Sequence, residues 1–121
     1  MRYILLCYDD EQAWADAGEG AQEQAMAKAA ELTQELHAKG QYVLAAPLHS
    51  VSTATSVRVH NGKPQITDGP FVETREVLGG FYLIEAKNLD EAIAIAVRHP
   101  GNRFGGVEVR PVVDLAGLPN P

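Results

Sequence analysis

Hydrophobic and polar positions along the chain change period several times, and each change marks an element. Residues 2–8, RYILLCY, are apolar on both faces of an extended chain, the pattern of a central strand covered on two sides. From Asp16 to Lys39 the period lengthens. Ala25, Ala29, Leu32 and Leu36 recur at three- and four-residue spacing, Asp16 with Glu19 reads as a capping box, and Gly40 supplies a left-handed stop, so one long amphipathic helix is expected. Residues 41–48 return to a strand. TSVRVHNGKPQIT then gives two alternating runs joined by Asn61-Gly62, the chemistry of a type I′ hairpin turn, and Pro64 confines that hairpin to a sheet edge or to a projection. Gly80–Ala86 is a further strand. Asn88 and Glu91 form a second capping box for a helix expected to turn Leu89, Ala92, Ile93, Ala96 and Val97 to one side, up to His99-Pro100. GVEVRPVV alternates as the last strand.

The order β-α-β, hairpin, β-α-β predicts an α+β chain of ferredoxin-like βαββαβ plan with an inserted β-hairpin, in one domain spanning residues 1–121. Two helices cover one sheet face. The strands around Tyr3–Tyr8 and Phe81–Ile84 are apolar on both sides, so the second face calls for a second subunit packed sheet to sheet, a homodimer. Alternation turns Val107, Val109, Val57 and Val59 inward and puts Glu108, Arg110, Arg58 and His60 on the opposite side. Such polar residues either line an inter-sheet cleft or pair across solvated strands.

Composition narrows the partners. Sixteen acidic against ten basic residues give a net charge of −6, with Lys and Arg scattered, which argues against nucleic acid. The one cysteine, Cys7, allows no internal disulfide and suits a reduced cytoplasm, and the apolar start is far too short for a signal segment or a membrane span. No phosphate loop, nucleotide fingerprint or nucleophile elbow is present, and no two of His37, His49, His60 and His99 have close ligand spacing, so neither cofactor nor metal is expected. His99, before Pro100, reads as a helix-end residue favoured by the dipole. Asp9, Asp10 and Glu11 read as a solvated strand end.

The densest chemistry lies in residues 67–80. Asp68-Gly69-Pro70 predicts a stiff corner, with Gly69 extended ahead of Pro70 and Phe71 as an anchor. If Asp68, Glu73 and Glu76 converge in a partly dry cleft, like charges raise one carboxyl toward neutrality and make a general acid or base. If Arg58 or Arg75 intervenes, the cluster is a salt-bridged clamp, and if the charges are solvated it is only a corner. Asp68, Glu73 and Glu76 are the candidate catalytic residues, and Arg58, Phe71, Arg75, Tyr82 and Arg110 the candidate substrate-binding ones.

The run DGPFVETRE at 68–76, followed by Leu78-Gly79-Gly80-Phe81-Tyr82, resembles the signature of DGPF proteins, a branch of the YCII-related domain family. The similarity extends to MRYILLCYDDE, TATSVRV, LDEAIAIA and GVEVRP; Arg75 stands where relatives usually carry lysine. The resemblance implies a dimeric α+β barrel of ferredoxin-like protomers. Its implications for chemistry divide. Some members resemble cofactor-independent lyases that use a histidine near the start of the first helix with an aspartate; here the first histidine is His37, at the far end, so activity is expected to depend on the 68–76 loop. DGPF proteins also resemble products encoded beside extracytoplasmic-function sigma factors, which implies a dimeric ligand-binding or regulatory module with a possible sigma-factor partner.

Overall fold

The computed structural model describes residues 1–121. Six strands and three helices follow in the order β1 (Arg2–Asp9), α1 (Glu11–Ala17), α2 (Glu19–Ala38), β2 (Tyr42–Pro47), β3 (Thr55–His60), β4 (Lys63–Asp68), β5 (Val77–Glu85), α3 (Leu89–Val97) and β6 (Gly105–Pro111). Short 3-10 turns at Val51–Thr53 and Pro100–Phe104 precede β3 and β6. The main sheet has the order β2-β5-β1-β6 with every neighbouring pair antiparallel, the strand order of a ferredoxin-like plan. β3 and β4 form their own two-stranded sheet, turned through Asn61 and Gly62 at φ 50° and 75°. Both positive values belong to the type I′ turn that the Asn-Gly pair predicts.

The core is one-sided. Tyr3, Leu5 and Cys7 of β1 and Tyr82 and Ile84 of β5 meet Leu32 and Leu36 of α2 and Ala92, Ile95 and Ala96 of α3. Leu36 is 1% exposed, and its truncation to alanine would cost about 2–5 kcal/mol. Only 13 of the 121 residues are buried, because the residues of opposite parity have no cover in the single chain. Strand register sets them in two rows: Leu44, Leu83, Ile4 and Arg110, then Ala46, Phe81, Leu6 and Glu108. Val107 and Val109 pack on the core side as alternation requires, leaving Glu108 and Arg110 exposed on the other.

Four local expectations are corrected. The helical stretch is two helices, because Asp10 caps α1 while Gly18, at φ 91°, breaks the chain before α2; the 16–19 capping box does not start a helix. Gly40 does close α2, with Gly40 N–H donating to His37 O and Gln41 N–H to Leu36 O, the paired bonds of a Schellman motif. On α3 the buried face is Ala92, Ile95 and Ala96, so Leu89, Ile93 and Val97 form an exposed stripe instead. Val57 and Val59, expected inward, are 54% and 69% exposed, because the hairpin projects from the main sheet and packs neither face. Gly69 sits at φ +98°, where only glycine is comfortable, rather than in the extended geometry expected before proline.

Candidate functional site

A cleft of about 600 Å³ opens between α2 and the helix-covered face of the sheet, at the end where β1 and β5 run into Asp9 and Gly79. Its size follows from small residues. Ala25 and Ala29 on α2 face Ala45 on β2 and Gly79 and Gly80 on β5, so the helix and sheet that close tightly at Leu32 and Leu36 stand apart here. Gly80 has no spare room, since a Cβ there would lie 2.9 Å from Ala46 O.

Tyr82, His99, Asp9 and Trp14 bring polar groups to the wall. Tyr82, on the inward face of β5, has its Oη 2.7 Å from Nδ1 of His99, and the two rings meet edge to face at 5.3 Å between centroids. The 3-10 turn after His99 folds back under the imidazole, and a Cβ on Gly101 would lie 2.4 Å from Nε2, so glycine is required there for the ring to keep its place. Burial holds His99 below the ordinary histidine value, so it is a neutral base and not the dipole-stabilised cation expected at a helix end. Burial, with the neighbouring Cys7 adding to it, pushes the Tyr82 phenol up to about 12. The Cys7 thiol is likewise pushed up to about 12 by burial and then by Asp9, which makes it an inert wall rather than a nucleophile.

Asp9, at the end of β1, accepts from Trp14 Nε1–H at 3.1 Å. Burial raises its carboxyl above the usual range, the indole bond opposes that rise, and the charges of Glu11, Asp10 and Glu76 push it further up. Trp14 is held in turn by an edge-on contact with Phe104, 4.7 Å between centroids. The acidic run read as a solvated strand end is therefore the best-organised corner of the chain. Asp10 Oδ1 accepts from the N–H groups of Gln12 and Ala13, and its Oδ2 from Arg75 Nε at 2.9 Å. Ala13 N–H and Arg75 hold the Asp10 carboxyl below its usual range. Glu11 ties α1 to the segment after β2, accepting from Ser50 Oγ at 2.5 Å and Val51 N at 3.0 Å.

Of the candidate catalytic and substrate-binding residues read from the sequence, Tyr82 lines this cleft and Asp68, Glu73, Glu76, Arg58, Phe71, Arg75 and Arg110 do not. Asp68, Glu73 and Glu76 are exposed. Arg75 reaches Asp10 at the rim, and Glu76 contributes to the negative potential at Asp9. Arg58 lies over the ring of Phe71 at 4.3 Å, and Phe71 stays 59% exposed, so the anchor is capped by an arginine rather than sunk in a core. Arg110 stands on the open face, its Nε 4.0 Å from Glu108 of its own strand. The loop root is firm: Gly69 N–H donates to Ala54 O at 2.7 Å and Ser56 Oγ to Gly69 O at 2.6 Å. No three His, Cys, Asp or Glu side chains gather as a metal-ligand set, and no helix is long and apolar enough to cross a membrane.

Asp9, Trp14 and His99 escaped the sequence reading of the site. One signal was available for them: the single tryptophan lies five residues beyond Asp9, one helical turn into an element that an aspartate caps.

The chain belongs to the YCII-related domain family, which it matches over residues 1–116. It is 33% identical over 114 residues, covering 93% of this chain and 92% of its counterpart, to an uncharacterised protein of Rhizobium meliloti (strain 1021). Among solved structures it is similar to the 5-chloro-2-hydroxyhydroquinone dehydrochlorinase of Burkholderia phenoliruptrix AC1100 in complex with 2,5-dihydroxybenzoquinone, with a TM-score of 0.51 and 14% identity, over 93% of this chain and 94% of that one. At that identity the likeness concerns the fold.

Proposed function

We propose that the chain is a small-molecule enzyme doing cofactor-independent proton-transfer chemistry of the lyase or hydrolase kind in the cleft beneath α2, with His99 as the acid–base group and Tyr82 as its partner. The observation that carries this reading is the Tyr82–His99 pair, a neutral imidazole 2.7 Å from a phenol in the wall of a cleft large enough for a ring compound. A histidine whose pKa is held below its ordinary value by burial is unprotonated at neutral pH and can accept a proton, and the phenol steadies one tautomer or returns a proton to it. The fold shared with a dehydrochlorinase is consistent with elimination chemistry. In this reading the 68–76 loop acts from the rim: Arg75 holds Asp10 and Glu76 adds negative potential at Asp9, while Asp68 and Glu73 stay outside the reaction. A second copy of the chain covers the Ile4, Leu44 and Leu83 row, completing a dimeric barrel.

The test is a turnover screen of hydroxylated and halogenated ring compounds with wild type, His99→Gln and Tyr82→Phe. Loss of about 10²–10⁴-fold in His99→Gln, with the variant still folded, supports the reading. Undiminished turnover in that variant, or binding without conversion by the wild type, refutes it. The latter result favours a ligand-binding module instead.

A further inference from the structure

The charge of the cleft wall is one-sided. Its acidic side chains are Asp9 and Glu11, and no lysine or arginine lines it. Cations are near at hand but committed elsewhere: Arg75 is bonded to Asp10, and Arg103 lies over the ring of Phe104 at 4.8 Å. Glu11 has both carboxylate oxygens engaged, by Ser50 Oγ and Val51 N–H. Asp9 Oδ2 takes the indole N–H, and Oδ1 makes no hydrogen bond within the chain. Trp14, Tyr42 and Tyr82 add aromatic rings to the wall, beside His49, His99 and the polar side chains of Gln22, Thr33 and Ser50. A carboxylate ligand would meet the carboxylates of Asp9 and Glu11 and no lysine or arginine, whereas an ammonium would find a half-satisfied carboxylate and aromatic rings.

We infer that the cleft selects its ligand by charge, taking ring compounds that carry a primary amine, with the ammonium on Asp9, and rejecting carboxylates of the same shape. This rests on the cleft being the working site. It adds a positioning role for Asp9 that is separate from the proton transfer assigned to His99. Trp14 is the only tryptophan of the chain and donates to that same carboxylate, so its fluorescence reports occupancy directly.

The experiment titrates the full chain, mildly above neutral pH, with 2-phenylethylamine, 2-phenylethanol and phenylacetate while Trp14 emission is followed. The amine binds about ten-fold tighter than the alcohol, and the carboxylate binds weakest. Asp9→Asn, which keeps the acceptor for the indole, brings amine and alcohol within about two-fold of each other. The wild-type ordering is read without any substitution and holds even if the variant folds poorly. Phenylacetate binding as tightly as the amine, an amine preference that survives in Asp9→Asn, or no binding of any of the three at millimolar concentration each overturns the inference. A failure of charge selection leaves the loss of turnover in His99→Gln intact, so the two readings fail separately.

Discussion

Tyr82 Oη and His99 Nδ1, 2.7 Å apart, join the inward face of β5 to the turn that follows α3, and the imidazole keeps its place only because residue 101 has no side chain. Gly101→Ala is therefore expected to push the ring off Tyr82 and to cost as much activity as His99→Gln. Its melting temperature should fall only modestly, since the neighbour that must yield is a single side chain. Ligand-binding and turnover assays alongside thermal unfolding check this; full activity in the alanine variant would contradict it.

Burial also sets a pH dependence. The folded-state pKa of His99 lies below its ordinary 6.5, so between that lowered value and 6.5 the unfolded chain binds a proton that the folded chain refuses. Stability is expected to fall as pH drops through that window. Asp9 has the opposite sign: its carboxyl is held above 3.8, so its contribution is present below 3.8 and is lost as pH rises through the raised value. Urea unfolding from neutral to acidic pH should show a shallower loss below 6.5 for His99→Asn than for wild type. Superimposable wild-type and variant profiles would contradict the buried neutral histidine.

The β1–β6 seam offers a test of backbone packing. A Cβ on Gly105 would lie 1.8 Å from Tyr8 O and 2.7 Å from the Asp9 Cα, both backbone atoms, whereas one on Gly106 would meet nothing within 4 Å. Gly105→Ala is expected to destabilise by about 3 kcal/mol or more and to disturb Asp9, with Gly106→Ala within about 1 kcal/mol of wild type. Equal unfolding midpoints for the two variants would mean that the seam is looser than described.

The architecture was legible in the sequence wherever a pattern answers to local physics. Runs apolar on both sides gave β1 and β5, alternation gave β6 and its faces, and Asn61-Gly62 and Gly40 gave the turn and the helix stop. The candidate cleft was less legible, for a physical reason. The 68–76 loop concentrates charge in sequence, but those charges are solvated or paired at the rim. The cleft is assembled from residues far apart in the chain, Asp9, Trp14, Tyr82 and His99, whose meeting depends on how the strands cross. Absence also shapes it, through Ala25, Ala29, Gly79 and Gly80, and missing side chains carry no chemical signature in a sequence. On α3, period alone could not decide whether Ile93 or Ile95 faced inward, since both lie among apolar neighbours.

The open sheet face gives a prediction about assembly. Leu83 sits between Leu44 and Ile4 in one row, and a lysine there would place an unpaired charge in any sheet-to-sheet contact. Leu83→Lys is expected to halve the particle mass seen by light scattering while leaving the helix-covered core folded. A wild type that is already monomeric at micromolar concentration would contradict the proposed second copy.

The central claim, that the cleft beneath α2 is the working site, is tested most directly by locating bound ligand. An amide NMR titration of wild type with 2-phenylethylamine and with the converted ring compounds from the turnover screen reads the location residue by residue. The account predicts shift changes at the amides of Gly79, Gly80 and Gly101 and at the Trp14 indole, all of which line the cleft. Changes confined to residues 68–76 and the β3–β4 hairpin, with Trp14 and Gly101 silent, would contradict it and return the site to the charged loop.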